Sequence, residues 1–448
     1  MTTLLERAKG SALDVIVSRK DPIGSMTLLP PHNNQIRYLD FACNNWVDIQ
    51  RFSEVNPGPF PLLRTLIVNA VEEINLDGTG LITFPSLPLF SNAVTLDKFH
   101  LHTEGSPFLS HFAFPNLTTF ELFAVLGEEF HASELLSFLE ASPMLQAVDV
   151  KIAANISFEG VPPERVVVLP NVEAFCLDVT DGGPGYRIAA HLSCPSAKCT
   201  SFVHEKDIDE TTPQDIFPTL VSWNTIVRQY ATSPAEEVTL EIKIDPNPVI
   251  TCSLIFRSPD ATVINLIFRV IASDEDEDEF DLPPMDMHNE VFSQASKFIR
   301  DHPQLANVKR LRICHSFLSI GSTEDAHIAN GLGRLFKSLG PLEELTIYCC
   351  DLQPYLPPSF HPPEFSGIEE PVVFPLVKDL TITHPLFSSD EQCVAAIVGL
   401  AAWQHLLGAP FERVTVRMGR TPAAMAERLG PWVGAAYCYD EMWLKNDY

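Results

Sequence analysis

Leu342-Glu343-Glu344-Leu345-Thr346-Ile347-Tyr348-Cys349-Cys350-Asp351-Leu352 is the stretch on which the fold turns. Leu342, Leu345, Ile347, Cys350 and Leu352 fill every specified position of the repeat pattern Leu-x-x-Leu-x-Leu-x-x-Asn/Cys-x-Leu. A short strand puts Leu345 and Ile347 on one face by period-two alternation, and the bend that follows needs a small inward group, which Cys350 supplies. A unit of this kind cannot bury its apolar face alone. It therefore predicts neighbours of the same kind at a fixed period.

Those neighbours are present on both sides. Leu311 with Ile313, Leu345 with Ile347, Leu380 with Ile382 and Val414 with Val416 are spaced 34, 35 and 34 residues apart. Ser322-Thr323-Glu324-Asp325 is a capping-box match for a helix carrying Ile328, Leu332, Leu335, Phe336 and Leu339, and Ser388-Ser389-Asp390-Glu391 opens a second one with Val394, Ile397 and Val398. Thr421-Pro422 starts a last helix. Trp432, Tyr437, Tyr439 and Trp443 are then expected to cover the open end of the stack.

Towards the amino terminus the recurring phrase is Pro-x-φ-x-x-φ-x-φ, where φ is apolar. It occurs as Pro61 with Leu63, Leu66 and Val68, as Pro115 with Leu117, Phe120 and Leu122, as Pro143 with Leu145, Val148 and Val150, and as Pro170 with Val172, Phe175 and Leu177. Leu96, Phe99 and Leu101 form a variant without the proline, and Leu39 with Phe41 extends the series. The middle positions 39, 66, 99, 120, 148 and 175 step by 27, 33, 21, 28 and 27 residues, close to the leucine-rich period of about 20 to 29. Proline before a strand stops the preceding segment and removes no donor from the strand interior. Ahead of these, Leu4–Ala8 reads as a helical piece and Leu13–Val17 as a strand. Ser133–Leu139 reads as a helix.

Residues 181–260 are the least regular. Asp181–Gly185 is a loop, the segment near Cys199 and Phe202 is at best a degraded repeat, and Val238–Ile244 returns to clean alternation, with further strands near Leu254–Phe256 and Ile264–Phe268. Ser273–Asp281 is too acidic to fold and reads as a solvated loop. The expected organisation is irregular repeats over 1–260, an irregular segment over 261–300 that holds the acidic loop 273–281, and regular repeats with a carboxy-terminal cap over 301–448. The expected fold is an α/β, leucine-rich-repeat-like solenoid with one curved, mostly parallel sheet and helices on the convex side.

Composition narrows the function. Asp and Glu number 58 against 30 Lys and Arg, a net charge of −28 that repels phosphate backbones and anionic membranes, so neither nucleic acid nor membrane is an expected partner. The amino terminus has no apolar run of signal-peptide length, and Cys393–Trp403 is far shorter than the roughly 20 residues a spanning helix needs. Ten cysteines are scattered without a Cys-x-x-Cys pair. Reduced thiols in a cytoplasmic or nuclear protein are the expectation, in which the sequons at Asn116 and Asn155 are inert.

Catalytic and metal motifs do not stand out. His100-Leu101-His102 puts two imidazoles on one strand face, but no third ligand is identifiable, and exposed strand histidines are the simpler account. Cys194 and Cys199 lack zinc spacing, the acidic run lacks the calcium-loop framework, and Gly182-Gly183-Pro184-Gly185 lacks the Lys-Ser/Thr of a phosphate loop. No Gly-x-Ser-x-Gly or His-Glu-x-x-His occurs. A non-enzymatic scaffold with no cofactor and no metal is expected, the competing class being an enzyme with an unrecognised site.

Leu5-Glu6-Arg7-Ala8 with Leu13-Asp14-Val15, His32 with Gln35-Ile36-Arg37-Tyr38-Leu39, Trp46-Val47-Asp48-Ile49 and Pro61-Leu62-Leu63-Arg64-Thr65-Leu66 together resemble the leucine-rich-repeat portion of fungal F-box proteins. The resemblance spans nearly the whole chain and implies substrate recognition for a cullin-RING ubiquitin ligase. Members of that family dock on the ligase adaptor through an amino-terminal F-box of roughly 40 residues. No such Leu-Pro-rich element precedes Leu4, so the adaptor is an expected partner only if an F-box lies upstream. The alternative is an F-box-less decoy or orphan binding protein.

Strand alternation also places the expected binding surface. If Leu311, Ile313, Leu345, Ile347, Leu380, Ile382, Val414 and Val416 point inward, the residues between them face outward. One row is Arg310, Glu344, Asp379 and Arg413, the next is Arg312, Thr346, Thr381 and Thr415, and the third is Cys314, Tyr348, Thr383 and Arg417. Arginine and tyrosine are enriched among binding hot spots, and an acidic protein segment is the expected ligand.

Overall fold

The computed structural model describes residues 11–19, 27–43, 46–56, 58–70, 93–104, 109–125, 130–153, 155–180, 186–207, 236–244, 249–258, 263–271, 308–315, 332–339, 342–348, 377–383, 390–418 and 422–440, with a few isolated positions besides. The expected features at Leu4–Ala8, Asp181–Gly185, Ser273–Asp281, Ser322–Asp325, Cys349, Cys350, Leu352 and Trp443 lie outside these residues. The protein is mixed α/β, dominated by mostly parallel sheet. It divides into two compact units, Met1–Glu205 and Lys206–Tyr448.

In the first unit eight strands pair in parallel: β1 (Leu13–Val17), β2 (Ile36–Cys43), β3 (Thr65–Ala70), β4 (Lys98–Thr103), β5 (Thr119–Val125), β7 (Ala147–Ala153), β10 (Ala174–Thr180) and β12 (Cys199–Asp207). Their order in the sheet is their order in the chain. The intervening β6 (Phe130–His131) pairs with β8 (Ile156–Ser157), and β9 (Val167–Val168) with β11 (Leu192–Ser193), in two small parallel ladders. Parallel neighbours require each connection to cross back. Helices α1 (Trp46–Val55), α2 (Ala132–Glu140) and α3 (Tyr186–Ala190) lie in such connections.

The proline phrase is a turn. Leu63, Leu117, Leu145, Val172 and Ala197 donate their backbone N–H to the carbonyls of Phe60, Phe114, Ser142, Leu169 and Cys194, three residues back, at 3.1–3.4 Å, with proline second in each turn. Ala93–Leu96 makes the same turn with Val94 in the proline's place. The third turn residue then reaches to the second residue of the preceding turn. Thr95 Oγ1 donates to the Pro61 carbonyl at 3.0 Å, Asn116 Nδ2 to Val94 at 2.8 Å, Asn171 Nδ2 to Pro143 at 3.1 Å and Ser196 Oγ to Pro170 at 2.7 Å. Met144 occupies the one rung of this series that has no donor, and it is exposed. Proline presets the φ of the turn, which Val94 also adopts, and a short polar side chain makes the rung.

One side of the sheet is buried. Leu39, Phe41, Leu66, Val68, Phe99, Leu101, Phe120, Leu122, Val148, Val150, Phe175 and Leu177 all lie there, as the alternation predicts. Helix α1 packs Phe52 on Phe41 with ring centroids 5.0 Å apart, and α2 packs Phe138 on Phe120 at 4.5 Å. Each such ring contributes roughly 2–3 kcal/mol through burial.

Residues 199–202 differ from their reading as a degraded repeat. They belong to a full strand, β12, preceded by the turn Cys194-Pro195-Ser196-Ala197. Pro195, Ala197, Thr200 and Phe202 occupy the phrase with two small residues, and Thr200 is buried in register with Phe175.

In the second unit the strand order is β15 (Val263–Ile271), β14 (Val249–Arg257), β13 (Glu237–Ile244), β16 (Arg310–His315), β17 (Glu344–Tyr348), β18 (Asp379–Thr383), β19 (Arg413–Met418) and β20 (Ala435–Asp440). From β13 to β20 every pairing is parallel. The three strands β13, β14 and β15 instead form an antiparallel meander. Val308, Leu311, Ile313, Leu342, Leu345, Ile347, Val377, Leu380, Ile382, Phe411, Val414 and Val416 are buried. Helical turns over 332–338 bury Leu332 and Leu335, α4 (Asp390–Leu406) buries Val394, Ile397 and Leu400, and α5 (Pro422–Leu429) buries Met425 and Leu429.

The carboxy-terminal segment expected to cap the stack adds a further parallel strand, β20. Tyr437 stands exposed on its outer face, while Trp432 packs edge-on against His405 at 5.9 Å.

Both units share one backbone device at the strand entrance. The carbonyls of Arg64, Asp97, Thr118, Gln146 and Glu173 in the first unit, and of Glu236, Lys309, Glu343 and Lys378 in the second, each accept two N–H groups from the next strand's entrance. In the second unit the side chains at this position run Glu236, Lys309, Glu343, Lys378 and Glu412, alternating in sign. Lys309 lies 3.7 Å from Glu343 and Lys378 lies 3.6 Å from Glu412. At the end of the series stands Gly434, where a Cβ would meet the Glu412 carbonyl oxygen at 2.7 Å.

Candidate partner-binding face

The outer face of the second unit is built from the positions that alternate with its core. Pairing fixes three rows across neighbouring strands. Glu237, Arg310, Glu344, Asp379 and Arg413 form the first, and Thr239, Arg312, Thr346, Thr381, Thr415 and Tyr437 the second. Glu241, Cys314, Tyr348, Thr383, Arg417 and Tyr439 form the third. The rows inferred from alternation therefore coincide with hydrogen-bonded register. The middle row presents three threonines side by side between an arginine and a tyrosine.

The charges are less free than the sequence suggests. Arg413 grips Asp379 with two hydrogen bonds, Nε to Oδ1 at 2.9 Å and Nη2 to Oδ2 at 2.6 Å. That contact raises the pKa of Arg413 further, and the pair is close to neutral as seen from a distance. Arg310 lies 3.5 Å from Glu236 and 3.6 Å from Glu237, and Arg312 Nε lies 3.2 Å from Glu237. Thr383 is buried, whereas Arg417 and Glu344 are exposed.

Two residues of this face escaped the sequence reading. Glu237 is a buried carboxylate, with a side chain 3% exposed, and Arg257 on β14 donates to it from Nη1 at 3.0 Å. Arg257 continues the alternation Ser253, Ile255, Arg257, so its outward position is legible. Its meeting with Glu237 depends on the antiparallel pairing of β14 with β13, which alternation does not encode.

The outer face of the first unit has a different chemistry. His100 and His102 do share a face, as the spacing predicts, and His100 Nδ1 lies 2.6 Å from Glu121 Oε2. His102 packs beside Phe123 at 5.7 Å, and burial with the neighbouring His100 lowers its pKa. Cys176 is pushed up to about 12 by burial and by Asp149 and Asp178, so its thiol is not a nucleophile at neutral pH. Among the described residues no group of three or more His, Cys, Asp and Glu is placed to hold a metal ion, and no helix is long and apolar enough to cross a membrane. No known family model matches the chain, and no curated protein matches it.

Proposed function

We propose that this chain is a non-enzymatic protein-binding scaffold of the leucine-rich-repeat kind, a solenoid whose outer strand face in the second unit takes an acidic segment of a partner protein. The observation that carries this reading is the register of that face. Arg312, Thr346, Thr381, Thr415 and Tyr437 are aligned on adjacent strands, with Tyr348 and Arg417 in the next row. In a chain of net charge −28 this face gathers Arg310, Arg312, Arg413 and Arg417, and exposed arginines attract acidic partners and steer their approach. A rigid sheet with aligned side chains suits recognition of an extended segment.

The resemblance of the sequence to fungal F-box proteins makes a substrate-recognition role in a cullin-RING ligase the more specific form of this reading, in the cytoplasm or nucleus and without a cofactor. Adaptor docking belongs to it only if an F-box is encoded upstream. Affinity capture from cells, run in parallel with the wild-type chain and with Arg312→Ala/Tyr348→Ala/Arg417→Ala, tests the scaffold. A specific partner lost from the triple variant supports it. Equal recovery by both forms rules this face out, and catalytic turnover in a broad hydrolase screen favours the enzyme class instead.

A further inference from the structure

We draw no further inference here: the strongest candidate, the uncharged outward stripe of Ala395, Val398, Ala402 and Leu406 on helix α4 of the second unit, is an apolar face with nothing in the structure to show what covers it.

Discussion

The two units share ion pairs at their strand entrances, and the first adds neutral rungs between its turns. In the first unit neutral rungs join the turns, with Thr95, Asn116, Asn171 and Ser196 each bonding a carbonyl of the preceding turn, and ion pairs stand at two of the strand entrances, Arg64–Asp97 at 2.7 Å and Glu173–Lys198 at 3.0 Å. In the second unit the entrance positions alternate in charge from Glu236 to Glu412, and the outer face adds the Asp379–Arg413 pair and the Glu237 cluster. The backbone ladder is the same in both. Side-chain-to-backbone bonds depend on a fixed turn and are insensitive to salt, whereas exposed charges are screened and leave the face able to respond to a charged ligand.

Substitutions can break or sharpen this contrast, and the largest expected effect lies in the buried core of the first unit. Phe120→Ala removes a buried ring packed on Phe99 and Phe138, and denaturant unfolding should show a loss of about 3–5 kcal/mol in the first unit's transition. Next is Glu237→Gln. It leaves three arginines facing each other, but these are half-exposed and rehydrate, so the expected cost is about 1–3 kcal/mol, partly recovered by added salt.

Asn171→Ala should cost about 1 kcal/mol whatever the salt concentration. Met144→Asn should restore the missing rung to the Pro115 carbonyl and stabilise by about 0.5–1 kcal/mol. The smallest effect is expected for Lys378→Gln, at most about 1 kcal/mol and vanishing in high salt. A salt-dependent Asn171 variant, or a salt-independent Lys378 variant, would remove the distinction between the units.

The sequence carried the strands because period-two alternation with large apolar residues is unambiguous at Leu66, Phe99, Phe120, Leu345 and Leu380. It under-called β12 because Ala197 and Thr200 fill apolar positions with small or polar side chains, although Pro195 keeps the turn. It could not carry the direction of β14 and β15, since alternation is the same in parallel and antiparallel strands. The rows of the candidate face were legible for the same reason as the strands. What the arginines do there was not, because their state depends on neighbours such as Glu237 and Arg257, which only the pairing of β13 with both β14 and β16 brings together.

One measurement compares the two outer faces directly. The affinity of a captured partner should be determined by calorimetry for Arg312→Ala/Tyr348→Ala/Arg417→Ala in the second unit and for His100→Ala/Phe123→Ala/Lys151→Ala in the first. Loss of at least about 2 kcal/mol, roughly 30-fold, from the second-unit variant alone is the predicted result. Full affinity in the second-unit variant, with loss in the first-unit variant, would contradict the account.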